Sequence, residues 1–95
     1  MGQMDMFKQA MAMRSQMVAM DKKLKAMSVE EELGKGDQTV KVVANGRMEI
    51  MGMSLSDGAM KLPKDQLVKL ILKTITKVQS EAKNSATKLA RSMQA

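Results

Sequence analysis

From Met6 onward the apolar positions Met6, Ala10, Met13, Met17, Met20, Leu24 and Met27 recur at alternating spacings of four and three. That is a heptad seam, and it predicts an amphipathic helix over about residues 3–27. Met4, Met11 and Val18 form a flanking column, so the apolar face is wider than a two-helix seam requires. Lys8, Arg14, Lys22 and Lys25 hold the polar side.

The period then drops to two. Val29 and Leu33 alternate with Glu30 and Glu32, which predicts a short edge strand over about 28–33, followed by a loop at Gly34-Lys35-Gly36-Asp37. A second strand, about 38–44, puts Val40, Val42 and Ala44 on one face and Lys41 and Val43 on the other. Asn45-Gly46 follows directly, the combination that favours a type I′ hairpin turn, with positive φ at both central residues. The third strand is expected over about 47–55. Its apolar phase slips, from Met48 and Ile50 to Met51, Met53 and Leu55, so either Gly52 marks a bulge or both faces are covered. Ser56 to Pro63 reads as a loop, with Pro63 in the first turn of a final helix over about 63–92. The fold class is α+β, a two-layer helix–three-stranded antiparallel β-meander–helix arrangement within a single domain, 1–95.

These elements do not match in length. The final helix is about 45 Å long and the strands only about 20 Å, so the sheet covers neither helix from end to end. The first half of the final helix is nonetheless densely apolar, with Leu67, Val68, Leu70, Ile71, Leu72, Ile75 and Val78; Ala82, Ala86, Leu89 and Met93 continue the face more thinly. A partner subunit supplies the missing cover in the simplest arrangement: a homodimer in which Met13, Met17, Met20, Leu24, Ile71, Ile75 and Val78 form core or interface while the helix ends project.

Composition narrows the chemistry. The chain has no cysteine and no histidine, and Phe7 is its one aromatic residue. Disulfides, thiolate metal sites, the commonest general base and aromatic stacking platforms for single strands are thereby removed or nearly so. Gly34-Lys35-Gly36 lacks the residues that make a phosphate-binding loop, and Asp57 and Asp65 are too isolated to pair. No constellation offers an enzyme's base, nucleophile or metal cage, so no catalytic activity, cofactor, metal or small-molecule substrate is expected. Thirteen methionines admit a Cu(I) reading, but their heptad spacing assigns them to packing. Asp5 interrupts any signal-peptide pattern and no segment reaches membrane-spanning length, so a cytoplasmic protein is expected.

The net charge of +6 is unevenly placed. Residues 1–33 balance five basic against five acidic side chains, whereas from Leu67 onward six basic residues face only Glu81. On a helical wheel Lys69, Lys73, Lys77, Lys83, Lys88 and Arg91 fall within an arc of roughly 140°, opposite the apolar side. A cation row on a rigid rod can follow phosphates, positioning a duplex without reading its bases. Lys22 and Lys25 are secondary candidates. A solvated helix face, a protein-interaction scaffold and a basic amphipathic helix on anionic lipid are the competing readings; the last lacks aromatic anchors.

The order of elements, Phe7-Lys8-Gln9-Ala10-Met11 near the start, Val40-Lys41-Val42-Val43-Ala44-Asn45-Gly46 and the alternating strand after it together resemble the YbaB/EbfC family of nucleoid-associated proteins. The resemblance covers nearly the whole chain. It implies a small bacterial dimer with projecting helices that binds double-stranded DNA in the nucleoid with relaxed sequence preference. The second helix is more basic than the family pattern leads one to expect, and Ser54-Leu55-Ser56-Asp57 replaces an Ile-Asp-Pro-like strand end. The matched motif includes no DNA-contact residue, so the basic candidates rest on charge placement alone.

Overall fold

The computed structural model describes residues 3–94. Two long helices, α1 (Gln3–Ala26) and α2 (Lys64–Gln94), flank an antiparallel meander of β1 (Val29–Lys35), β2 (Gln38–Ala44) and β3 (Ile50–Leu55), in spatial order β1-β2-β3. This is the α+β arrangement that the change in hydrophobic period predicts. The bounds differ at the connections.

β1 runs on to Lys35, which pairs with Gln38, so the β1–β2 turn is Gly36-Asp37 alone rather than the four-residue loop expected. Gly36 takes φ +58° there, a left-handed conformation that glycine adopts without steric cost.

The expected type I′ turn at Asn45-Gly46 does not form. Neither residue has positive φ, and β3 begins at Ile50, not Arg47, so Asn45–Glu49 is a five-residue connection. The Asn45 side chain organises it: its Oδ1 accepts from the backbone N–H of Arg47 at 2.9 Å and of Glu49 at 3.1 Å. The Asn45 amide N–H donates to the Glu49 carbonyl at 3.0 Å, closing the loop. The positive φ falls instead on Met48, at 64°.

The phase slip in β3 is a bulge. Val43 pairs with Gly52 and Ala44 with Ile50, which leaves Met51 as the extra residue, beside the glycine expected to mark it. Between β3 and α2 the expected loop contains a short 3₁₀ turn, Ala59–Lys61. Ser56 Oγ accepts from Thr39 N–H at 2.8 Å and Ala59 N–H at 3.1 Å, tying this turn to β2. Pro63 precedes α2 instead of occupying its first turn, and its carbonyl accepts from Leu67 N–H.

α2 packs across β1 and β2. The core lies between them: Val40, Val42 and Ala44 from β2, Val78 and Ala82 from α2, and Ala59. Its largest fully buried side chains are valines and Thr74, whose hydroxyl donates to the Leu70 carbonyl at 2.7 Å. Ile71 and Ile75 pack against this core half-buried. No residue of α1 is buried. Met20 and Leu24 are half-buried, but Met13 and Met17 are exposed, so they are not core residues of the single chain. The physical reason is that α1 is fastened to the body at its last turns, runs free of the sheet, and meets only the far end of α2 across an open groove.

The molecule is correspondingly drawn out, 68 × 22 × 17 Å with a radius of gyration of 19.2 Å, against about 12 Å for a compact chain of this length. Its accessible surface of 7367 Å² exceeds by about 1,900 Å² the roughly 5,400 Å² usual for a folded monomer of 10.5 kDa.

Candidate nucleic-acid interface

Thr74, Val78 and Ala82 are the fully buried residues of α2, spaced four apart, and they define its core-facing line. The helical repeat then turns Lys69, Lys73, Lys83 and Arg91 well away from the sheet, with Lys77 and Lys88 at the edge of the same row. All six are exposed. From Lys69 to Arg91 the row runs about 33 Å at 1.5 Å per residue, close to one turn of duplex DNA.

Ion pairing divides the row. Lys77 Nζ lies 3.7 Å from Glu31 Oε2 on β1, so this lysine is partly committed to joining α2 to the sheet. Among the described residues, no acidic side chain lies within 4.0 Å of Lys69, Lys73, Lys83, Lys88 or Arg91. At the N-terminal half of α2, Leu33, Leu70 and Leu72 make an apolar floor beside Lys69, Lys73 and Lys77.

On α1, Lys25 Nζ is 3.5 Å from Asp21 Oδ2, one helical turn away. Lys22 is exposed. The structure thus sets these two apart from the α2 row, on a different helix.

The sequence pattern missed an anchoring cluster at the base of α1. Arg47 Nη1 lies 3.2 Å from Asp21 Oδ1, and Asn45 Nδ2 donates to Glu49 Oε1 at 3.0 Å. Gly46 N–H donates to the Leu24 carbonyl at 2.8 Å. The end of α1 is therefore fastened to the β2–β3 connection by backbone and side chain together. A buried asparagine followed by glycine carries this signal, but it is indistinguishable in sequence from a hairpin turn.

No group of three or more histidine, cysteine, aspartate or glutamate side chains among the described residues is placed to hold a metal ion. No described helix is long and apolar enough to cross a membrane.

No curated protein matches the sequence. Among solved structures, the crystal structure of the uncharacterized protein HP0035 from Helicobacter pylori is similar, with a TM-score of 0.79 over 100% of this chain and 99% of that one. At 17% identity the likeness establishes the fold. The model of the YbaB/EbfC DNA-binding family matches residues 1–95, the whole chain, and the protein belongs to that family.

Proposed function

We propose that this nucleoid-associated DNA-binding protein acts as a homodimer that grips the phosphates of duplex DNA through the cation row of α2, with little dependence on base sequence. The observation that carries this reading is the row itself: six exposed cations along one side of a rigid helix, five of them without an acidic partner among the described residues. Lysine predominates, and it acts as a mobile point charge suited to phosphate, whereas arginine is the commoner reader of guanine edges. Affinity then comes from counterion release, and any sequence preference from the shape or deformability of the duplex. Cytoplasmic residence in the nucleoid follows from such a partner.

The dimer is supported by what one chain leaves uncovered. β1 carries Glu30, Glu32 and Lys35 along its edge, the kind of charge that discourages strand addition. β3 reads Ile-Met-Gly-Met-Ser-Leu, has no charge, and exposes Ile50, Met51 and Met53. A second copy lying on β3 and on the methionine stripe of α1 would remove both liabilities.

The test is duplex titration by fluorescence anisotropy at several salt concentrations. Log affinity is expected to fall linearly with log salt, at a slope of about −0.9 per phosphate neutralised. Lys73→Glu, Lys83→Glu and Lys88→Glu together should abolish binding at moderate salt while leaving the circular dichroism spectrum unchanged. Wild-type affinity in that variant would move the contact surface elsewhere. A wild-type protein that dimerises but ignores DNA at low salt would leave a protein-interaction scaffold.

A further inference from the structure

Methionine is segregated in this fold. The chain has 13 of them, yet the apolar core is built of valine and alanine alone. Met20 and Met27 are half-buried. Among the described residues ten others are exposed, out of 15 exposed large apolar residues, so methionine supplies most of the exposed large apolar side chains and none of the buried core. Leucine would give α1 the same apolar face at similar helix propensity. What a thioether adds is adaptability and chemistry. With no cysteine present, oxidation of sulfur in this chain falls on thioethers alone.

The exposed thioethers gather where a second copy is expected. Met13 and Met17 are 65% and 71% exposed and, with Met20 and with Met93 of α2, line an open groove of about 500 Å³ between the helices. Met51, the bulge residue of β3, is 63% exposed, and Met53 stands next to Gly52 on the same uncharged edge.

We propose that the methionines of α1 and β3 are a reversible modification site, at which oxidants of the peroxide class switch off self-association and with it DNA binding. This rests on the dimer proposed above. In the step, a lone pair on the thioether sulfur attacks one peroxide oxygen. An S–O bond forms and the O–O bond breaks. The sulfur gives up two electrons and becomes a sulfoxide, and the other oxygen takes up a proton and leaves as water. Methionine sulfoxide reductases restore the thioether at the expense of a dithiol, which becomes a disulfide while the sulfoxide oxygen leaves as water with the two thiol protons. A sulfoxide places a strong, poorly partnered dipole on a face that must meet apolar surface. Because the core holds no methionine, the protomer's fold survives the change, and the effect is confined to the surfaces between copies. Conversion proceeds through separated protomers, so it is faster in dilute protein.

The experiment treats the full chain with hydrogen peroxide, removes the oxidant with catalase, and follows four properties: peptide mass mapping, far-ultraviolet circular dichroism, sedimentation equilibrium and duplex affinity. The expected result is sulfoxide at Met13, Met17, Met51 and Met53 among the exposed methionines, a spectrum that keeps the sheet and α2 and loses at most the ellipticity of α1, loss of the dimer, and a fall in affinity of at least about tenfold. Reductase with dithiothreitol should restore dimer and affinity. A variant carrying Met13→Leu, Met17→Leu, Met51→Leu and Met53→Leu should dimerise and stay dimeric through the same treatment; if it does not fold, reductase rescue of the wild type decides. Mapped sulfoxides with dimer and affinity intact overturn the proposal, as does a protomer whose sheet and α2 unfold as it is oxidised. Untreated protein that sediments as a monomer removes the dimer itself, and that outcome is recognised before any oxidant is added.

Discussion

A Cβ placed on Gly46 would lie 2.8 Å from Met27 Sδ, 2.9 Å from the Leu24 carbonyl oxygen and 3.0 Å from Leu24 Cδ2. Glycine is needed here for close approach of the turn to the end of α1, not for a left-handed backbone. Gly36 is the opposite case, with φ +58° and nothing within 4 Å of its would-be Cβ. Asparagine tells the two apart, since it tolerates the left-handed region but brings a side chain. Gly36→Asn should leave the urea midpoint nearly unchanged. Gly46→Asn should cost about 1–3 kcal/mol through overpacking and loosen α1. Equal stability of the two variants would mean that the turn is not tight against α1. Met48, at φ 64° and exposed, bears the left-handed cost without glycine's freedom. Met48→Gly should therefore stabilise the fold by about 0.5–1 kcal/mol after glycine's own entropy is counted, read as a higher melting temperature.

At the scale of elements, hydrophobic period was informative wherever one face meets a partner within the chain. β2 shows it best, with Val40, Val42 and Ala44 fully buried at alternate positions, as does α2, whose wheel separates Thr74, Val78 and Ala82 from the cations. The slip from Ile50 to Met51 left open a bulge or a strand covered on both faces, and the register shows the bulge, on a strand whose residues are mostly exposed. The turns were less legible. Asn45-Gly46 has the letters of a type I′ turn, but the asparagine spends its side chain on Arg47 and Glu49 and the glycine meets Leu24, which are tertiary choices no local pattern records. The heptads of α1 correctly announced a helix yet say nothing of what covers them. Before its anchored last turns, α1 has no buried residue and little but its own hydrogen bonds to hold it, and such helices are marginal in water. Amide hydrogen exchange should thus be fast over residues 5–19 in dilute protein and slow as concentration rises, while Thr74 to Ala82 stay protected throughout. Slow, concentration-independent exchange in α1 would show that the helix does not use self-association for its stability.

For the molecule as a whole, the excess surface of about 1,900 Å² per chain is more than the roughly 800 Å² per partner that a standard interface removes. A core whose largest fully buried apolar side chains are valines is small beside that exposure, which favours the proposed dimer. Sedimentation equilibrium should give twice the 10.5 kDa chain mass at micromolar protein. The β3 edge offers a way to divide the dimer without touching the protomer core, because Met53 is already 43% exposed in the single chain. Met53→Lys puts a charge on the uncharged edge, the device by which natural sheets refuse a neighbour, and should yield a folded monomer; Glu30→Gln on the opposite edge should remain dimeric. Function then follows by arithmetic on charge. In the proposed mode a monomer brings one α2 row to DNA where the dimer brings two, so the slope of log affinity against log salt should fall to about half its wild-type value. Met53→Lys adds a cation, so weaker binding in that variant cannot be assigned to lost charge on the mutated residue. A Met53→Lys protein that stays dimeric would shift the interface to the methionine face of α1. A monomer with the full salt slope would mean that a single α2 row makes every phosphate contact.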